Sequence, residues 1–201
     1  MKRPSLPELP EFARDALAEG SAVEGAKLVD ALAALSPPPK APPQLLRERL
    51  LATALRPRLR FAPLFGALAE LFDLGNSDLA GIFERAADAR AWATSPIAGT
   101  ELLHLVGGPR VVGADNGLVR LRAGARFPMH RHLGSERVLV LEGGYEDEQS
   151  GRVYGCGDLH EMPAGTSHAY TALPGRDLLF AVSVIAGVDV VGFGTLSPSS
   201  V

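Results

Sequence analysis

From about Ala91 onwards, the sequence consists of short stretches rich in Val, Leu and Phe, separated by clusters of Gly, Pro, Asp and Asn about every 8–12 residues. This pattern is typical of short antiparallel strands joined by tight turns. So many strands in a small region must close or cover their edges, as in a barrel or a jelly roll. The predicted strands are Glu101–Leu105, Arg110–Ala114, Gly117–Ala123, Arg126–His130, Glu136–Glu142, Gly143–Glu148, Gly151–Tyr154, Asp158–Met162, His168–Ala172 and Leu178–Val184.

The sequence before this region has a different character. It is rich in Ala, Leu, Glu and Arg, which favour helix, and it is interrupted by prolines and glycines, which end helices. The predicted helices are Leu9–Glu19, Ser21–Leu35, Pro43–Leu55, Phe61–Phe72 and Asp78–Ala89. We therefore expect an α+β, mainly β protein with a helical domain over residues 1–90 and a β-barrel domain over residues 91–201.

Composition excludes several classes of protein. Hydrophobic residues make up 46% and charged residues 21% of the 201 residues, a balance that allows a buried core. The formal net charge of -3 gives no reason to expect binding to nucleic acid or to an anionic membrane. No stretch is long and apolar enough for a membrane span or a leader, so we expect a cytoplasmic protein. With Cys156 as its single cysteine, the chain can form no internal disulfide, and a metal site must use His and carboxylate ligands.

Three potential metal ligands lie within seven residues, at the end of one predicted strand and the start of the next. His130 and His132 are two residues apart, so a strand points both imidazoles to the same face. The turn Leu133–Ser135 returns the chain, which lets the carboxylate of Glu136 approach the same point from the neighbouring strand. Two imidazoles and a carboxylate form a set of ligands suited to first-row divalent metals.

A fourth ligand is predicted from a later strand. Pro163–Gly165 forms a turn, and His168 begins the strand that follows. Antiparallel pairing can bring this strand against the first pair. We therefore predict one mononuclear metal site formed by His130, His132, Glu136 and His168. Such ligands accept zinc, iron, manganese, nickel or copper.

Other residues near this site are given lesser roles. Tyr170 lies two residues after His168 on the same strand face, so it is a candidate to line the pocket or to donate a proton. His160 is a candidate pocket residue or hydrogen-bond donor to a ligand. The acidic run Glu146–Glu148 is predicted to be the solvated tip of a hairpin, and His104 is placed outside the site.

The same residues match two motifs of the cupin superfamily. The first, G-x5-H-x-H-x3-E-x6-G, runs from Gly124 to Gly143, and the second, G-x5-P-x-G-x2-H, runs from Gly157 to His168. The resemblance implies a double-stranded β-helix of jelly-roll type with one metal held by the four side chains named above. The second motif often closes with an Asn, and Ala172 stands at that position here.

Within the cupins, the sequence most resembles the C-terminal domain of ChrR-type anti-sigma factors. The resemblance implies a helical N-terminal domain that sequesters an extracytoplasmic-function sigma factor and a cupin that senses a signal such as reactive oxygen, with zinc as the metal. Gln44–Ala52 is similar to a helix of that N-terminal domain. Cupins of this type often form dimers, so a homodimer is also implied. The N-terminal domain in this family usually binds zinc through His and a Cys-x2-Cys pair, whereas no His or Cys precedes His104 here.

Three functions remain open at this point. We favour a regulator that couples the state of the metal, or a small-molecule ligand bound to it, to the release of a partner. The alternative is a small cupin metalloenzyme, similar to an iron-dependent dioxygenase, acting on a small chelating substrate. The sequence shows no clear acid/base pair near the metal, which favours the regulator over the enzyme. The third is a binding module that the metal stabilises.

Overall fold

The computed structural model describes residues 43–55 and 60–196, and the chain divides into two compact units, residues 1–48 and 49–201. Helix α1 (Gln44–Leu55) confirms the prediction of a helix at Pro43–Leu55. Its side chains Leu45, Leu46, Leu50 and Leu51 are exposed. The helices predicted at Leu9–Glu19 and Ser21–Leu35 lie outside the described residues.

Two further helices precede the strands. A 3-10 turn (Ala62–Leu64) leads into α2 (Phe65–Phe72), so the predicted helix Phe61–Phe72 starts with a tighter turn, at a proline. Helix α3 (Asn76–Ala86) begins two residues before the predicted Asp78 and ends three before Ala89. The structure instead forms a second 3-10 turn at Ala89–Ala91. None of the described helices is long and apolar enough to cross a membrane.

The described residues contain twelve strands in two six-stranded antiparallel sheets. The first sheet has the order β1-β2-β3-β10-β5-β8 and the second β12-β11-β4-β9-β6-β7. The sheets face each other as a jelly-roll sandwich rather than closing into one barrel, and the fold class is the predicted α+β, mainly β cupin fold. The strands are β1 (Ala93–Thr94), β2 (Thr100–Leu105), β3 (Ala114–Leu121), β4 (Arg126–His132), β5 (Glu136–Glu142), β6 (Gly144–Asp147), β7 (Val153–Gly155), β8 (Leu159–Met162), β9 (Ser167–Ala172), β10 (Leu178–Ile185), β11 (Val188–Val190) and β12 (Gly194–Leu196).

One strand prediction is wrong. Residues 110–114 were expected to form a strand, but Pro109–Val111 is a 3-10 turn and β3 starts only at Ala114. The reason is local: Pro109 favours the first position of a helical turn, and Gly113 has a φ of +84°, which breaks an extended strand. The short strands β1, β11 and β12 have two or three residues each, too few to give a clear alternating pattern.

Two hydrophobic cores lie on opposite faces of the first sheet. Its inner face packs against the second sheet, and Val119 of β3 and Phe180 of β10 are buried there. Its outer face, with Leu118 and Ala181, packs against α2 and α3. Alternation along β3 and β10 therefore gives each strand one side chain toward the sandwich interior and the next toward the helices. The separate helical domain over residues 1–90 and the domain boundary at residue 91 stay predictions.

Candidate metal centre

His130 and His132 project into the interior of the sandwich from β4. Both side chains are buried, while Arg131 between them is exposed, as alternation along a strand requires. Their ring centroids are 5.0 Å apart. The structure therefore places the two imidazoles in one space, on the same face of the strand.

His168 joins them from the neighbouring strand of the same sheet. Strand β9 pairs antiparallel with β4, and His168 stands directly opposite His130. The ring centroids of His168 lie 4.4 Å from His130 and 5.0 Å from His132. One ring nitrogen from each histidine can be chosen so that all three lie within 4.8 Å of one another.

Glu136 approaches this cluster from the facing sheet. We expected the turn at residues 133–135 to lead to the neighbouring strand, but β4 and β5 belong to different sheets, so the chain crosses the sandwich at this point. The Glu136 carboxylate is buried, and its Oε2 lies 3.4 Å from Nε2 of His132. Burial raises the pKa of this carboxyl to about 7.

A hydrogen bond at Nδ1 fixes the orientation of each histidine ring. His130 Nδ1 donates to the Pro128 carbonyl at 3.0 Å, and His168 Nδ1 donates to the Asp147 carboxylate at 2.6 Å. His132 Nδ1 lies 2.9 Å from Thr166 Oγ1, which itself donates to the Pro163 carbonyl and so accepts from the histidine. Because each Nδ1 carries the proton, each Nε2 keeps its lone pair.

These Nε2 atoms suit a divalent metal. In the part of the chain that the structure describes, Nε2 of His132 and Nε2 of His168 are buried and have no hydrogen-bond partner. Burial lowers the pKa of His130 to about 3 and of His132 to about 4, and it also lowers the pKa of His168. The three imidazoles are therefore neutral near pH 7, as metal ligands must be. A bound metal would satisfy buried nitrogen atoms that otherwise lack a partner.

Asp147 is a residue that sequence reasoning missed. It was predicted to lie in a solvated hairpin tip, but its side chain is buried beneath His168. Its Oδ1 accepts hydrogen bonds from the backbone N–H and the hydroxyl of Ser150. Burial alone would raise the pKa of Asp147, but the hydrogen bonds from Ser150 and His168 outweigh it and lower the pKa to about 2. Alternation along the predicted strand Gly143–Glu148 could have revealed this inward position, because Asp147 shares a strand face with Tyr145.

Tyr170 and His160 lie on either side of the cluster. The Tyr170 ring is buried, stacks on Phe127 at 5.1 Å and lies 5.5 Å from the His168 ring. Half-buried His160 stacks on Tyr154 at 4.1 Å, and its Nδ1 lies 2.9 Å from the Tyr145 hydroxyl. The His160 ring lies 5.7 Å from that of His168, but it does not belong to the cluster of three. The roles proposed for both residues stay predictions.

A cavity of about 110 Å³ begins beside the cluster and extends between the sheets. His130 and Glu136 form its inner end, and Tyr170 lines one side. His104, which we expected to lie outside the metal site, lies at the far end of the cavity, where its Nδ1 is 2.9 Å from Asp115. The side of the cluster formed by His130 and Glu136 therefore faces a largely apolar cavity.

The fold and the histidine cluster together define a protein of the cupin class with three histidines that could hold a metal ion. A family model described as the ChrR cupin-like domain matches residues 84–186, more than half of the chain. The chain therefore belongs to the ChrR cupin-like domain family. No curated protein gives a significant match to the sequence.

Several solved structures have a similar fold. The complex of Rhodobacter sphaeroides SigE with the anti-sigma ChrR has a chain 22% identical, with 86% of this chain and 84% of that chain covered and a TM-score of 0.48. An acetylacetone dioxygenase from Acinetobacter johnsonii is 16% identical, with 57% and 80% covered and a TM-score of 0.45. An RmlC-like cupin protein from Ralstonia eutropha is 22% identical, with 51% and 69% covered and a TM-score of 0.43.

Proposed function

We propose that this protein is a metal-dependent regulator of the anti-sigma type, in which the cupin domain holds one divalent metal and the helical half binds an extracytoplasmic-function sigma factor. Membership of the ChrR cupin-like family supports the proposal. ChrR of Rhodobacter sphaeroides is an anti-sigma protein that forms a complex with SigE. We further propose a cytoplasmic location, as expected from the sequence, and a homodimer, as the family resemblance implies.

The observation that carries the metal assignment is the convergence of three neutral imidazoles whose Nδ1 atoms are already bonded. His130, His132 and His168 would bind through Nε2, and Glu136 would supply the fourth ligand. A bound metal acts as a Lewis acid at any position that the protein ligands leave open. We propose zinc as the metal, with iron, manganese and nickel as alternatives that the same ligands accept.

The protonation state of Tyr170, the candidate proton donor beside the metal ligands, also favours regulation over catalysis. Burial raises the pKa of Tyr170 well above its ordinary value, so its hydroxyl stays protonated and can donate a hydrogen bond but cannot act as a base. A regulator needs only a difference in free energy between two states, of about 1–3 kcal/mol for ordinary coupling. A change in metal or ligand state at a buried centre can supply such a difference.

Partner binding is proposed for the helical half, including α1. This helix exposes Leu45, Leu46, Leu50 and Leu51, and exposed leucines are common in surfaces that bind another protein. No His or Cys precedes His104, so sigma-factor binding has to proceed without the N-terminal zinc of the family. We therefore propose that apolar contacts of the helices hold the sigma factor.

The metal assignment is tested by elemental analysis of protein purified without added metal. We expect about one metal per chain, a loss of most of it in His130→Ala, and no loss in the control His104→Ala, because His104 is an exposed histidine outside the cluster. Full occupancy in His130→Ala would overturn the assignment.

Partner binding is tested by co-purification with a sigma factor encoded nearby. We expect capture by the full chain and its loss in a Leu46→Asp, Leu50→Asp double variant. Val106→Asp is the control, because Val106 is an exposed apolar residue that follows strand β2, away from α1 in the sequence. If the double variant and protein lacking residues 1–55 both bind the sigma factor as well as the full chain does, the proposal is wrong.

The second candidate function is a metalloenzyme, which the cavity beside His130 and Glu136 favours. A cavity at the open side of a metal can hold a small chelating substrate. Oxygen consumption by iron-loaded protein supplied with small diketone or thiol substrates separates the two functions. A regulator should consume no oxygen. Sustained oxygen consumption that is abolished in His130→Ala would establish the enzyme.

A further inference from the structure

The cavity between the two sheets is mostly apolar along its walls and polar at its two ends. Its walls are mainly aliphatic and aromatic side chains from both sheets, among them Phe127, Phe180, Val182 and Val184, and Ser95 and Tyr170 add hydroxyl groups. The valine and phenylalanine side chains offer no hydrogen-bond partner to a bound molecule, and they form most of the wall. A ligand that fits must therefore have an apolar body.

The two ends of the cavity are polar and differ from each other. The inner end is formed by buried His130 and Glu136. The outer end carries His104 and Asp115, whose side chains are 45% and 26% exposed and hydrogen-bonded to each other. Because these two side chains reach solvent, the cavity opens beside them. A ligand that enters there meets the metal ligands only with its leading end.

We propose that this cavity binds a short-chain monocarboxylate, with the carboxylate at the His130 end and the alkyl chain against the valine and phenylalanine walls. A divalent metal together with one ionised Glu136 leaves a net positive charge at the inner end, which attracts an anion. A cavity of about 150 Å³ holds benzene, so about 110 Å³ suits roughly four to six non-hydrogen atoms. Propionate and butyrate have this size and this polarity.

Such a ligand would act on the strands that carry the helices. Phe180 and Val182 of β10 face the cavity, while Ala181 between them packs on the outer face in the core shared with α2 and α3. In β3, Val119 likewise faces the core between the two sheets, while Leu118 faces the core shared with the helices. A carboxylate in the cavity thus touches the inner face of the strands whose outer face holds the helices. This assignment rests on the proposed function, because it uses the metal and makes the carboxylate its regulatory ligand.

Calorimetry with the metal-loaded full chain tests the ligand class. We expect butyrate to bind about tenfold more tightly than acetate, because two additional methylene groups become buried. Butyramide, a neutral molecule of the same shape, is expected to bind at least tenfold more weakly than butyrate, and metal-free protein is expected to lose butyrate binding. Equal binding of butyramide, undiminished binding by metal-free protein, or no binding of any carboxylate would overturn the assignment.

Two variants place the ligand in this cavity. Val182→Phe should fill it and weaken butyrate at least tenfold while leaving the metal content unchanged, whereas the same substitution at exposed Val112 should leave binding unaltered. Phe180→Leu enlarges the cavity, and it tests the location of the ligand if the Val182→Phe protein does not fold. This second variant should shift the preference from butyrate toward hexanoate. An unchanged preference for chain length would contradict the location.

Carboxylate binding and capture of the sigma factor are measured separately, so failure of one proposal can be told from failure of the other. Butyrate binding without capture of a sigma factor retains the ligand site and removes the proposed anti-sigma function. Capture of the sigma factor by a protein that binds no carboxylate retains that function and removes the ligand assignment.

Discussion

The Asp147 carboxylate accepts a 2.6 Å hydrogen bond from Nδ1 of His168, and both side chains are buried. The other carboxylate oxygen of Asp147 is held by the backbone and hydroxyl of Ser150. Asp147 is therefore itself fixed, and it fixes the tautomer and ring orientation of His168. A carboxylate in this position also makes the histidine a more basic ligand.

We expect Asp147→Ala to lower metal affinity about 10–100-fold, because His168 loses the group that orients it. Asp147→Asn keeps an acceptor but no charge, so its effect should be smaller. Titration against a competing chelator measures both. Glu146→Gln, at an exposed neighbouring position, is the control and should bind metal as the parent does. An Asp147→Ala protein that folds and has unchanged affinity would contradict the positioning role.

Thr166→Val should also weaken metal binding, but less, by about tenfold. His132 Nδ1 loses its acceptor, yet that acceptor is a neutral hydroxyl rather than a carboxylate, and hydrogen bonds to charged groups are the stronger. The same chelator titration measures the effect. Thr171→Val is a matched control on the next strand, where the hydroxyl bonds Glu148 away from the cluster. Equal losses in the two variants would show that His132 needs no such support.

Protein with free metal at 100 times its dissociation constant should unfold at a thermal midpoint about 5–10 °C higher than metal-free protein. The physical reason is that the metal binds only the folded cluster, and its loss leaves Nε2 of His132 and His168 buried without partners. Differential scanning calorimetry with and without a chelator measures the shift, and restored metal should reverse it. His130→Ala should respond little to the chelator, and a full shift in that variant would place the metal elsewhere.

Phe83→Ala should destabilise residues 49–201 by about 3–5 kcal/mol, because Phe83 is 1% exposed and stacks on Phe61 at 4.5 Å in the core beneath the first sheet. Unfolding in denaturant, followed by circular dichroism, should give one transition in which helices and strands are lost together. Val106→Ala, at an exposed position, should change stability by less than about 0.5 kcal/mol. Two separate transitions would instead place α3 in a domain of its own, as the predicted boundary at residue 91 requires.

Sequence patterns predicted those parts of the fold that depend on nearby residues. The strand Glu136–Glu142 has the predicted bounds, because its apolar run at residues 138–141 lies between two turns. The predicted strand Arg110–Ala114 is wrong, since Pro109 and Gly113 override its apolar residues. The short strands β1, β11 and β12 were missed because two or three residues give no clear alternation.

The sequence by itself determined that His130 and His132 share one face, because the alternation of side chains along a strand is a local property of the backbone. It could not determine which strands pair or in which sheet each lies, since these choices depend on the packing of residues far apart in the chain. Only the tertiary structure therefore placed His168 opposite His130, brought Glu136 across from the facing sheet and buried Asp147 beneath His168.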